Sequence, residues 1–218
     1  MKITLIRHAM TYGNTLKRYI GVTDEEVCSE GMKQLKKMVQ AGYYPDCEIV
    51  FASPMLRCRQ TAEIIYPHHQ MVYENDFREC DFGSLEGKNY EELKGDTAYQ
   101  RWIDSGGTLP FPGGEDIDEF KKRCRRGFRR VIAQCLWAGS PIAHQMGYDS
   151  KLKRIRDPQN TGIALVVHGG TIMSIMETFE ENHKNYYEYH VENCEGYETV
   201  YNGRDLKIVR KIQMPENP

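Results

Sequence analysis

Two arginines and two histidines stand where strands of this chain are expected to end. Arg7 and His8 follow the apolar run 3–6; Arg57 comes shortly after the run 49–52, by way of Ser53-Pro54; His168 closes 163–167 and precedes Gly169-Gly170. In an open α/β sheet, ligands collect beyond the carboxyl ends of the strands, where helix amino termini point free N–H groups. Singly, each piece is ordinary, because an arginine early in a helix usually faces water and a histidine before Gly-Gly is usually a satisfied loop residue. Three separate strand ends that supply Arg, His, Arg and His to one edge are hard to produce by a bland cause. A dianionic phosphoryl group is the natural guest, since guanidinium forks match its oxygens and a helix terminus adds oriented donors.

The elements that must position these residues alternate. Apolar runs at 3–6, 49–52, 71–73 and 163–167 predict strands, and Ala164-Leu165-Val166-Val167, with no polar alternation, predicts one buried on both faces of a mainly parallel sheet. Ser29 is expected to cap a helix over 30–40, and Ser53 with Pro54 to cap and open another over 55–65. The longest helix is predicted over about 115–136, with acids leading and bases following, as the helix dipole favours. Its basic run, Lys121, Lys122, Arg123, Arg125, Arg126, Arg129 and Arg130, reads as a solvated face. Segments 197–201 and 206–212, joined through Asn202-Gly203, predict a closing hairpin. Together these imply a three-layer α/β/α sandwich with a mainly parallel central sheet. They form a single domain over 1–218, with a loop or small lid at about 139–160.

The 218 residues carry 29 Lys+Arg against 31 Asp+Glu, a net charge of −2, which removes the global electrostatic case for a nucleic-acid or membrane-surface partner. No run approaches the ~20 apolar residues of a membrane span, and the opening apolar stretch is too short for a secretory leader. Seven cysteines without a C-x-x-C pair argue against a disulfide framework or a thiolate zinc site and for a reduced, cytoplasmic setting. His68-His69, next to Pro67, read as loop histidines, so neither metal nor cofactor is expected.

The motifs resemble those of the histidine phosphatase superfamily, also called phosphoglycerate-mutase-like. The family's R-H-G-x-T-x-x-N is matched by Arg7-His8-Ala9-Met10-Thr11-Tyr12-Gly13-Asn14, with Ala9 in place of glycine. S-P-L-x-R-x-x-Q-T-A is matched by the stretch from Ser53 to Ala62, and V-x-H-G-G by Val166-Val167-His168-Gly169-Gly170. The acidic element resembles the stretch from Arg78 to Gly87, and Pro112-Gly113-Gly114-Glu115 recurs in phosphatase branches. The resemblance implies that His8 is the nucleophile that becomes phosphorylated. Arg7, Arg57 and His168 would hold the phosphoryl oxygens, with Asn14 and the backbone at Gly169 assisting. Glu79 would protonate the leaving oxygen and later take a proton from water. Because Ala9 departs from the pattern, a phosphate-binding module without turnover is the alternative of another class.

Cofactor-dependent phosphoglycerate mutases typically read E-R-H-Y-G where this chain has Glu79-Cys80-Asp81-Phe82-Gly83. Cys and Asp in place of the basic pair weaken attraction for a second phosphate, so hydrolysis is favoured over mutase activity. The stretch from Arg18 to Asp24, together with Gly113-Gly114-Glu115, resembles the α-ribazole phosphatase branch. That likeness makes Arg18, Tyr19 and Gly21 candidate contacts for a small phosphorylated metabolite such as α-ribazole 5′-phosphate. Tyr186, Tyr187, Tyr189, Tyr197 and Tyr201 suit a homodimer face and half-buried packing equally well.

Overall fold

A computed structural model describes residues 1–137 and 162–214. Six strands form one sheet in the order β3-β2-β4-β1-β5-β6: β1 Lys2–Arg7, β2 Ile49–Ala52, β3 Met71–Tyr73, β4 Gly162–Val167, β5 Gly196–Tyr201 and β6 Leu206–Ile212. The β1–β4, β2–β4 and β2–β3 pairings are parallel; β5 and β6 are antiparallel additions at one edge. All six residues of β4 are buried, as expected of a strand covered on both faces.

Helices cover both faces, giving the expected three-layer α/β/α sandwich with a largely parallel sheet. On one face Ile3, Leu5, Phe51 and Leu165 pack with α5 (Ile117–Trp137), through Phe128, Val131 and Ile132, and with α6 (Gly169–Phe179), through Ile172, Ile175 and Met176. On the other, Ile6, Val50, Ala52 and Val166 meet Cys58 and Ala62 of α3 (Leu56–Ile65), while α2 (Ser29–Gln40) packs beside α3 through Leu35 and Met38. A third cluster joins Cys80, Leu85, Phe111 and Phe120 to Tyr99 of α4 (Thr97–Asp104), whose amino terminus Asp96 caps by accepting from the Ala98 and Tyr99 N–H groups. A short helix, α1 (Tyr12–Thr15), follows the first strand.

Three local expectations are corrected. Cys28, not Ser29, is the N-cap of α2, its Sγ accepting from the Gly31 N–H at 3.4 Å. The third helix begins at Leu56 behind Met55, which leaves Ser53 outside it. The basic face of α5 is solvated only in part: Lys122, Arg126 and Arg129 are exposed, but Lys121 and Arg125 pair with Glu177, Arg126 and Arg130 with Asp76 and Glu74, and half-buried Arg123 with Glu115. The loop or lid expected at about 139–160 lies outside the described residues. Of the five carboxyl-terminal tyrosines, Tyr186, Tyr189 and Tyr197 are buried, Tyr201 is half-buried and Tyr187 is exposed, so packing accounts for most of them. No described helix is long and apolar enough to cross a membrane.

Candidate active site

The carboxyl ends of β1, β2 and β4 lie side by side, and each delivers a side chain to one place. The His8 N–H donates to the Val167 carbonyl at 2.9 Å, the Ser53 N–H donates to Val166 at 3.1 Å, and His168 is the N-cap residue of α6. The His8 and His168 rings meet edge to face with centroids 5.1 Å apart. Ser53, freed from capping, places its Oγ 2.9 Å from His168 Nε2, and Cys58 sets its Sγ 3.5 Å from the same nitrogen. Buried Arg57 donates from Nη1 to the Thr23 carbonyl at 2.9 Å and from Nη2 to Gly21 at 3.0 Å, while Arg7 Nη1 donates to Val191 at 2.7 Å. The Nε of each arginine is buried with no partner among the described residues. Unpaired buried donors are costly, so this pair suits an anionic acceptor at the histidines.

Protonation follows from these contacts. His8 Nδ1 lies 2.8 Å from the Ala9 carbonyl, and a carbonyl only accepts, so Nδ1 carries the hydrogen and Nε2 keeps its lone pair. Burial first, then the Arg57 and Arg7 charges, hold His8 well below the ordinary imidazole range; His168 is lowered likewise by burial, Arg57 and His8. Both are neutral near pH 7. Ala9 is fully buried, donates its N–H to Thr61 Oγ1 at 2.9 Å, and is not among the residues at positive φ. The alanine therefore costs no backbone strain at the position where the family pattern has glycine.

Glu79 lies on the loop after β3, with Oε2 4.0 Å from His168 Nδ1 and Oε1 accepting from the Cys80 N–H at 3.0 Å. Burial raises its carboxyl above the ordinary range and outweighs the opposing pull of Arg57 and Arg7. A Cβ on Gly170 would stand 2.9 Å from Glu79 Oε1, so a side chain there would crowd the carboxyl out of place. The backbone beneath Glu79 is held by Arg123, a residue sequence reasoning passed over. Its Nη1 donates to the carbonyls of Asp76 at 2.9 Å and Arg78 at 2.6 Å, and its Nη2 to that of Glu79 at 3.0 Å. Nε and Nη2 also form a fork on Glu115 at 2.6 and 2.8 Å. All five guanidinium donors are thus engaged. The signal was Glu115, eight residues ahead of Arg123 and just before α5, but masked by the basic run that follows it.

A model of the histidine phosphatase superfamily (branch 1) matches residues 3–213. The chain belongs to that superfamily. Phosphoserine phosphatase 1 of Hydrogenobacter thermophilus is 28% identical over 141 residues, covering 63% of this chain and 66% of that protein. The chain thus spans just under two thirds of that relative's length. An α-ribazole phosphatase structure from Shigella flexneri superposes with a TM-score of 0.74 at 18% identity, each chain fully covered. A phosphoserine phosphatase of Entamoeba histolytica, in complex with 3-phosphoglyceric acid, gives 0.72 at 22%, with 98% of each chain covered. At these identities the structural likeness speaks for the fold.

In this superfamily member the five principal site residues predicted from sequence, Arg7, His8, Arg57, Glu79 and His168, converge. The secondary ones divide. Gly169 opens α6 against Arg7, where a Cβ would lie 3.4 Å from Arg7 Nε. Asn14 is tied into a capping box with Thr11, and its Oδ1 accepts from Asn193 Nδ2 at 3.3 Å; that amide also donates to the His8 carbonyl at 3.0 Å. Asn193 was not foreseen, since nothing near it in sequence marks it. Gly21 holds Arg57 through its carbonyl, and Glu86 accepts from its N–H at 2.9 Å. A side chain at Gly21 would collide with the Cys80 carbonyl. Arg18 turns away to pair with Glu92 at 2.7 Å. Tyr19 lines a cavity of about 240 Å³ whose wall also includes Glu79 and Gly170.

Proposed function

We propose that this chain is a metal-independent phosphomonoester hydrolase that works through a phosphohistidine at His8. The observation that carries the reading is a neutral His8 with its Nε2 lone pair available, beside buried Arg57 and half-buried Arg7, whose Nε atoms are both buried, and an acid whose burial favours its protonated form. In the first displacement Nε2 attacks phosphorus, the ester P–O bond breaks, and the Glu79 proton passes to the departing oxygen. Water then attacks the phosphohistidine: its oxygen bonds to phosphorus, the P–N bond breaks returning its electron pair to Nε2, and a proton returns to Glu79. Arg7, Arg57, His168 and the N–H groups at the start of α6 offset the charge on the equatorial oxygens.

The substrate is a small phosphorylated metabolite, and α-ribazole 5′-phosphate is the individual compound that the motif from Arg18 to Asp24 favours. The proposed setting is the cytoplasm, where the cysteines, all unpaired in the structure, stay reduced. Mutase activity is disfavoured by Cys80 and Asp81, which bring no positive charge to this place; Asp81 Oδ1 accepts from the Gly83 N–H at 2.8 Å. Acid-quench labelling with a ³²P-phosphomonoester tests the reading. It predicts an acid-labile, base-stable label on His8, and a loss of turnover in His8→Asn of about a thousandfold or more. Label on another residue, or full activity in that variant, would overturn it.

A further inference from the structure

The cavity beside Glu79 is built for a leaving group of one kind. Phe82 and Phe111 meet edge to face at 4.9 Å, Phe111 stacks on Trp102 at 4.9 Å, and Tyr19 abuts both Phe82 and Trp102. Phe120 and the Tyr186–Tyr187 pair also line the space. Among the described residues lining it there is no lysine or arginine. Lys121 lies behind this wall, with its Nζ 4.2 Å from the Tyr186 ring centroid, but that ammonium is bound to Glu177 at 3.0 Å. The acidic group on the wall is Glu79 itself, which offers a substrate carboxylate or second phosphate no positive partner and would repel it whenever it is ionised.

From this we infer that the enzyme selects phosphomonoesters whose alcohol carries an uncharged aromatic ring, seated in the Tyr19–Trp102–Phe111 cavity, over those whose alcohol carries a carboxylate or a second phosphate. The inference rests on the phosphohistidine reading, in which Glu79 marks where the leaving oxygen departs. A flat ring gains offset-stacked and edge contacts there, and loses its water, without leaving a charge unpaired.

The test compares 2-phenylethyl phosphate with phosphoserine, both esters of primary alcohols, so that ring recognition is separated from leaving-group acidity. The expected kcat/KM ratio is at least about tenfold in favour of the aromatic ester, as burial of a single ring implies. Tyr187, 64% exposed at the cavity rim, takes substitution without disturbing the core. Tyr187→Arg is expected to cut that ratio about tenfold by offering the carboxylate a partner. Calorimetry with the non-hydrolysed analogues 3-phenylpropylphosphonate and 2-amino-4-phosphonobutyrate measures the same preference without turnover. Equal or better use of phosphoserine, or tighter binding of the amino acid analogue, overturns the inference while leaving a phosphatase. Tighter binding of the aromatic phosphonate with no release of phosphate from either ester sustains the cavity assignment and removes the hydrolytic reading.

Discussion

At the level of single residues, the division of labour proposed for His8 and Glu79 follows from burial acting on groups of opposite charge type. Desolvation disfavours whichever form is charged, so it lowers the value of the imidazole and raises that of the carboxyl. In the proposed reaction these two shifts favour the nucleophile and the general acid together. Glu79→Gln should lower kcat for alkyl phosphates by about 10² to 10⁴, the usual contribution of a positioned acid, and far less for p-nitrophenyl phosphate, whose leaving group needs no proton. Activity on alkyl esters should also fall as pH rises through the elevated Glu79 value, and that alkaline limb should vanish in the variant. A leaving-group series run across pH checks both. His168 lies 4.0 Å from Glu79 but is neutral, so the contact is not an ion pair.

At the level of elements, the site is assembled by two independent pieces. The sheet edge carries the proposed phosphoryl-binding groups, whereas the loop that carries Glu79 is gripped from outside by α5. That grip involves a fork no lysine can copy, since Arg123 reaches three carbonyls and one carboxylate at once. Arg123→Lys is accordingly expected to reduce kcat for alkyl phosphates by about ten- to a hundredfold with little effect on p-nitrophenyl phosphate. KM for the latter should barely move, because the phosphoryl pocket is untouched; a uniform loss across both esters would show a merely structural role. Arg123→Met paired with Glu115→Gln avoids leaving a half-buried carboxylate unmatched, so its melting temperature separates folding from positioning.

For the whole molecule, two buried neutral histidines couple the fold to pH. Their folded values lie below the ordinary 6.5, so the unfolded chain binds more protons than the native one once pH falls below about 6.5, and stability is lost in that direction. Glu79, raised in the fold, acts with the opposite sign: its contribution is present at low pH and fades as pH climbs through its elevated value. Thermal melts between pH 7 and pH 5 should show a falling midpoint, and His168→Gln should flatten the fall. The strand ends and the three histidine–arginine motifs could be read in sequence because each is local, one apolar run followed by its polar terminus. The aromatic cavity could not. Tyr19, Phe82, Trp102, Phe111 and Tyr186 come from five separated segments, and only tertiary packing brings them together. Ser53 and Arg123 were misjudged for a related reason: a hydroxyl before a helix and a base on a helix face each have a common local use, and the actual partner is distant in the chain.

The pairing of β1 with β4, in which Arg7 stands opposite Val167, has a consequence for how the chain tolerates change in length. Side chains along a strand alternate between the two faces, so the site keeps count by parity. Removing one residue from β1 would exchange Leu5 and Ile6 between layers and send the imidazole at position 8 to the wrong side. The connections can lengthen or shorten at modest entropic expense, but these strands can change only in pairs, and even then the reach to the phosphoryl group is altered.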